Sequence, residues 1–141
     1  MKIIIDAMSG DNAPQAQVSG CVMAAKELGQ EYILVGQESA IRDLLAKEHA
    51  ENLPITIHDA QDIIDMHDDP ATAVRRKKDA SMSVALRMMK DGEADAMISA
   101  GNTGALLSGA TLVTKRIRGI RRAALPTQLP CKGGHVLLID S

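Results

Sequence analysis

The sequence predicts an α/β fold: a mostly parallel sheet covered on both sides by helices, with one antiparallel hairpin added. Three observations point to it. Short apolar runs such as Ile3-Ile4-Ile5 and Tyr32-Ile33-Leu34-Val35 are bounded by turn residues, as buried strands are. Stretches of helical periodicity separate them, which implies βαβ units. Two late apolar runs flank Pro130-Cys131-Lys132-Gly133-Gly134, a hairpin signature.

The elements follow in chain order. Lys2–Ile5 is the first strand, and a loop dense in polar and turn residues runs from Asp6 to Pro14. Asn12 stands near the N-cap of the next helix and Pro14 suits its first turn. That helix carries Val18, Cys21, Ala25 and Leu28 on one face, and Gly29 stops it. Tyr32–Gly36 is a second strand. Ser39 to His49 is a second helix with Ile41, Leu44 and Leu45 on one side, and Pro54–His58 is a third strand. The stretch from Asp59 to Asp69 is acidic, and Asp69-Pro70 then starts a helix that carries Arg75, Arg76, Lys77 and Lys78. Four consecutive residues cannot share one helical face, so at most two of these cations point into one site. The others face solvent or pair with the aspartates. Ser81 caps a helix from Met82 to Lys90 whose inward side is Ala85, Met88 and Met89, and Gly92 ends it. Ala123–Leu129 and His135–Asp140 form the hairpin.

Between the Gly92 stop and the hairpin lies the stretch with the most chemistry, Ala94 to Lys115. Ala96–Ser99 is a short buried strand, Ala100–Gly104 is a turn with glycines three apart, and Leu106, Ala110 and Val113 then recur at helical spacing beside Gly109. Strand, Gly-x-x-Gly turn and helix make a phosphate-binding geometry. The glycines let backbone approach a ligand, and the helix N-terminus offers free N–H groups and partial positive charge. Asn102 and Thr103 add side-chain donors. A βα turn needing glycine only for its dihedrals would look the same.

The length of 141 residues argues for a single α/β domain spanning 1–141. Such a chain buries roughly two-thirds of the surface of its unfolded form. The near balance of 16 basic and 18 acidic residues argues against nucleic acid as a partner. Tyr32 is the one aromatic residue, so there is no stacking platform for single strands either. Cys21 reads as a small buried hydrophobe, and Cys131 sits in the Pro/Gly turn. Met1-Lys2 leads directly into the first strand with no signal peptide, and no apolar run approaches membrane-spanning length. The expectation is a cytoplasmic, reduced protein.

Ligand loops in parallel sheets leave the carboxyl ends of strands. The Asp6 loop and the Gly101 turn therefore meet at one rim if their strands are neighbours. The first loop holds Ser9-Gly10 and lacks G-x-G-x-x-G, which argues against dinucleotide binding, and there is no Walker loop. His58, Asp59, Asp62, Asp65, His67 and Asp68 match no metal-site spacing and read as a solvated acidic loop. No Ser/His/Asp or Cys/His arrangement stands out.

Three segments, Ile5-Asp-Ala-Met-Ser-Gly-Asp-Asn-Ala-Pro14, Ala73-Val-Arg-Arg-Lys-Lys-Asp79 and Ser99-Ala-Gly-Asn-Thr-Gly-Ala105, resemble signature segments of the PlsX family, in the same order and spacing. These are bacterial acyl-carrier-protein:phosphate acyltransferases that make acyl phosphate for phospholipid synthesis. The resemblance implies a three-layer α/β/α fold similar to phosphotransacetylases and isocitrate-dehydrogenase-type enzymes, usually dimeric. It implies inorganic phosphate and an acyl-carrier-protein thioester as partners, no cofactor and no metal. It is compatible with peripheral membrane association through parts outside this chain. Two departures stand out. Ser9 occupies a position where glycine is expected, and family members continue well beyond the strand that ends this chain. The chain is thus expected to be an N-terminal portion.

The reaction so implied is attack of a phosphate oxygen on an acyl thioester. Phosphate is already anionic at neutral pH and needs orientation and charge compensation more than a strong base. For that reaction phosphate binding is expected at Asp6, Ser9, Gly10, Asn12, Ser99, Gly101, Thr103 and Gly104, with charge from one or two of Arg75, Arg76, Lys77 and Lys78. Catalysis is expected of Asp11, Asn102 and Lys77, with Asp11 orienting a basic side chain or the pantetheine arm. Two other readings share the site logic: a coenzyme A-dependent acetyl- or butyryltransferase, and a non-catalytic phosphate-binding or assembly module.

Overall fold

A computed structural model describes residues 1–139. The elements are β1 (Lys2–Asp6), α1 (Gln15–Leu28), β2 (Glu31–Gly36), α2 (Glu38–Lys47), β3 (Ile55–Asp59), α3 (Ala73–Arg76), α4 (Ser81–Lys90), β4 (Ala96–Ile98), α5 (Thr103–Val113), β5 (Pro126–Cys131) and β6 (Gly134–Ile139). The first four strands form one all-parallel sheet in the order β3-β2-β1-β4, and β5 and β6 pair as a separate antiparallel hairpin. The expected α/β/α layering is present.

Alternation along the strands builds the layers, because successive side chains leave a strand on opposite faces. Ile5, Tyr32 and Leu34 point to one face and pack under α1 and α2, against Val18, Cys21, Val22, Ile41, Leu44 and Leu45. Ile4, Ile33 and Val35 point to the other face and meet Val84, Ala85 and Met88 of α4. A third cluster joins Met82 and Leu86 of α4 to Ala73 and Val74 of α3 and to Ala105 of α5. Helix α4 is therefore enclosed on several sides. Met82, Val84 and Leu86 are buried along with the expected Ala85 and Met88, while Met89 is only half-buried.

Several details of the elements differ from the sequence reading for local reasons. Pro14 is the N-cap of α1, and Asn12 contributes its carbonyl, which accepts from the Ala16 N–H at 3.0 Å, while no side chain caps this end. The Ala13–Pro14 bond is cis. Leu28 falls off the buried stripe and is exposed. Asp69-Pro70 opens a turn instead of a helix. The Asp69 carboxylate accepts from the Ala71 N–H at 3.2 Å and the Thr72 hydroxyl at 2.7 Å, and the one-turn helix α3 begins only at Ala73. Lys77 and Lys78 lie past its end. Ser81 is the first residue of α4, not its cap, because its hydroxyl is drawn elsewhere.

The hairpin is also tighter than expected. Its strands run through Pro130 and Cys131 up to a two-residue turn, Lys132-Gly133, with Gly133 at φ 91°. A two-stranded ribbon accommodates Pro130 because one side of each strand has no partner to bond. Asp140, expected at the end of the last strand, lies outside the described residues. Among those residues no helix is long and apolar enough to cross a membrane.

Candidate functional site

The strand order sets the position of the site. The chain adds β2 and β3 on one side of β1 and then returns to place β4 on the other side. The reversal falls at the carboxyl ends of β1 and β4, the kind of position where open parallel sheets bind ligands. The β1–α1 loop and the β4–α5 turn both leave the sheet there, as expected from their sequences.

Asp6, the last residue of β1, is fully buried. Its carboxylate accepts from the Ser81 hydroxyl at 2.5 Å and from the Ser99 hydroxyl at 2.7 Å. The Ser99 Oγ in turn accepts from the Gly101 N–H at 3.2 Å. One carboxylate thus ties the start of α4 and the exit of β4 to the end of β1. Asp6 and Ser99, read from sequence as phosphate-binding, have their side chains engaged in this brace. Ser81, read from sequence as a cap, is the third part of this brace.

The two loops are in van der Waals contact. A Cβ placed on Gly101 would lie 2.6 Å from the Ser9 Cβ, and one on Gly10 would lie 3.2 Å from the Ala100 Cβ. Gly10 also has φ 108°, a conformation open to glycine. Gln17 of α1 holds the first loop by donating to the Ser9 carbonyl at 2.6 Å. The Ser9 Oγ is buried and has no hydrogen-bond partner among the described residues. Asp11 and Asn12 are exposed beyond this contact. The structure engages neither side chain in a hydrogen bond among the described residues.

Asn102 is the N-cap of α5. Its Oδ1 accepts from the Ala105 N–H at 3.0 Å, and its Nδ2 donates toward the carbonyls of Asp65, Met66 and Asp68 at 3.2–3.4 Å. The side chain is buried, so the expected catalytic amide is taken up in joining the acidic loop to the glycine turn. Pro70 of that loop sits over the helix end, and a Cβ on Gly104 would fall 2.8 Å from the Pro70 Cβ. What the helix end leaves available is backbone: the Thr103 and Gly104 N–H groups have no partner among the described residues. Thr103 itself is exposed. Sequence reasoning did not join the acidic loop to this turn, since the link runs through main-chain carbonyls that leave no side-chain signature.

Lys77, expected as catalytic, is occupied. Its ammonium donates to Asp68 at 2.6 Å and to the Ile63 carbonyl at 2.8 Å. The hydrogen bond to Asp68 raises the Lys77 pKa above its usual value, and Lys77 lowers that of Asp68. Arg75, Arg76 and Lys78 are exposed and form no ion pair among the described residues. Arg76 borders a cavity of about 240 Å³ together with Asp68, Asp69, Thr72 and Lys77. Among the described residues no three His, Cys, Asp or Glu side chains gather as a metal site would need. Burial pushes the Cys21 thiol up to about 12, which removes it as a nucleophile at neutral pH.

The arrangement places N–H groups without a partner among the described residues at the start of α5, beside the glycine turn. A family model described as fatty acid synthesis protein matches residues 1–141. The chain belongs to this family. It is the family whose motifs the three segments resemble. Proteins named phosphate acyltransferase are similar over the same span. That of Herpetosiphon aurantiacus is 48% identical over 141 residues, covering 100% of this chain and 38% of the relative. That of Clostridium novyi is 48% identical, covering 99% and 42%. That of Geobacter sulfurreducens is 45% identical, covering 99% and 40%. The chain spans about two-fifths of the length of the curated relatives it matches.

Proposed function

We propose that this chain forms the phosphate-orienting part of an acyltransferase that moves a fatty acyl group from an acyl-carrier-protein thioester to inorganic phosphate. The observation that carries the reading is the pair of Thr103 and Gly104 N–H groups, without a partner among the described residues, next to the Asp6–Ser99–Gly101 brace. The name of the relatives supports it, and their greater length supports treating this chain as an N-terminal portion of a longer enzyme.

In this reading the amides and the α5 dipole hold hydrogenphosphate with one oxygen toward the thioester carbonyl. A carbon–oxygen bond forms, the carbon–sulfur bond breaks, and the phosphate proton leaves on the carrier thiol. Acyl phosphate and free thiol are the products. Donors aimed at the tetrahedral oxyanion lower the barrier without a covalent acyl-enzyme. Arg76 supplies positive charge in place of the occupied Lys77.

Titrating inorganic phosphate into the chain while following amide chemical shifts tests the site. The expected result is a saturable shift at Thr103 and Gly104, weakened roughly 10–100-fold in Arg76→Ala, as for the loss of one charge-assisted hydrogen bond. Lys78→Ala should stay within about twofold. Phosphate shifts confined to other surfaces would refute the reading. For the longer enzyme, acyl phosphate formed from coenzyme A thioesters but not from carrier thioesters would move the assignment to the coenzyme A class.

A further inference from the structure

Charge is distributed unevenly along this chain. Residues 1–95 carry 10 Lys and Arg against 17 Asp and Glu, whereas residues 96–139 carry six Lys and Arg and no acidic residue. Five of the six stand in Lys115-Arg116-Ile117-Arg118-Gly119-Ile120-Arg121-Arg122, which follows α5 without regular structure. All eight residues are exposed, with Ile117 at 80% and Ile120 at 53%. None of the five cations is in an ion pair among the described residues. The Arg116 guanidinium donates to the Arg121 carbonyl and closes the segment into a loop. Beside it, Ala110, Ile117, Ile120 and Ala123 line an apolar notch of about 280 Å³ whose rim carries Lys115 and Arg116.

We propose that this loop is the docking surface for an acidic, amphipathic protein partner, which is the acyl-carrier protein if the proposed function holds. The inference rests on that reading for the partner's name alone. Charge complementarity supplies the attraction and the orientation. The notch receives one apolar side chain of the partner, as a small pocket ringed by polar groups does in many interfaces. A concave spot ringed by cations suits a projecting side chain, which a fluid lipid surface does not present. The position relative to the site is also suitable. The loop leaves one end of α5 and the proposed phosphate site occupies the other, about 16 Å away for an 11-residue helix. A thioester on a flexible pantetheine arm bridges such a span, which a thioester fixed directly to a protein surface would not.

The test measures binding of purified holo-acyl-carrier protein to the chain, by calorimetry at low and high salt. The expected outcome is salt-sensitive binding that falls at least about tenfold in Arg118→Glu/Arg121→Glu and in Ile117→Ser/Ile120→Ser. The exposed cations of α1 and α2 serve as controls, and Lys26→Glu/Lys47→Glu should stay within about twofold. Circular dichroism confirms that each variant is folded. Four results would overturn the proposal: no carrier binding by the parent chain; equal loss in the control pair; tight binding of phosphatidylglycerol vesicles with none of the carrier; or a dimer of this chain that the loop variants dissolve. Phosphate shifts at Thr103 and Gly104 should persist in the loop variants. Their absence from the parent sinks the proposed function and leaves the docking surface standing.

Discussion

Asp6 shows how one buried side chain can tie three elements together. It is buried, and two serine hydroxyls from distant parts of the chain donate to it. Asp6→Ala leaves the fully buried Ser81 hydroxyl without an acceptor, and a buried unpaired donor costs about 1–3 kcal/mol. The urea midpoint should fall accordingly, and the Gly101 amide should shift because its Ser99 acceptor is no longer held. An unchanged midpoint would show that the brace is incidental. Ser9 gives the opposite expectation. Its buried Oγ has no partner among the described residues, so Ser9→Ala removes a desolvated hydroxyl and should hold or raise Tm. A lower Tm would reveal a bond that this hydroxyl makes after all. Asp6 was legible as a residue at a strand end beside a glycine turn. Its role was not, because the sequence does not show that Ser81 and Ser99 converge on it from 75 and 93 residues away.

At the level of elements, most strands and helices were legible because their apolar periods are strong and glycines end α1 and α4. The region between β3 and α4 was misread. Asp69-Pro70 looks like a helix start, but the Asp69 side chain closes a turn on Thr72 first, and tertiary contacts leave only four residues helical. What orders this region is the Lys77 link to Asp68 and Ile63 together with the Asn102 link to the loop carbonyls. The Lys77–Asp68 pair has a defined pH signature. Asp68 titrates below its usual 3.8 when folded, so its contribution is present above that value and is lost as pH falls through the folded pKa. Lys77 titrates above its usual 10.5, so its contribution is present below that value and is lost as pH rises through the folded pKa. Between these limits the loop should be uniformly ordered. In Lys77→Met, amide exchange across residues 61–68 should speed up at pH 7 and lose the acid dependence that the parent shows below the usual Asp pKa. Exchange rates identical to the parent at pH 7 would assign the ordering to Asn102 alone.

Across the whole molecule, burial is concentrated in the first 113 residues. The three apolar clusters all lie there, and every described residue from Thr114 onward is exposed. The hairpin pairs with itself and none of its described residues is buried, and isolated two-stranded hairpins are marginal in water. The alternating elements of the sandwich could be anticipated from sequence, but the detachment of the hairpin could not. Leu129, Val136, Leu137 and Leu138 are as apolar as core residues, and only the coordinates show them bare. The loop between sandwich and hairpin is, chemically, a row of peptide bonds that follow lysine or arginine, in open backbone with room for a protease to bind. Brief trypsin treatment should therefore cut within 115–122 first, well ahead of the cations of α1 to α4. The amino-terminal fragment should keep its circular dichroism and remain in solution, while the released hairpin strands, freed of their five flanking charges, should precipitate.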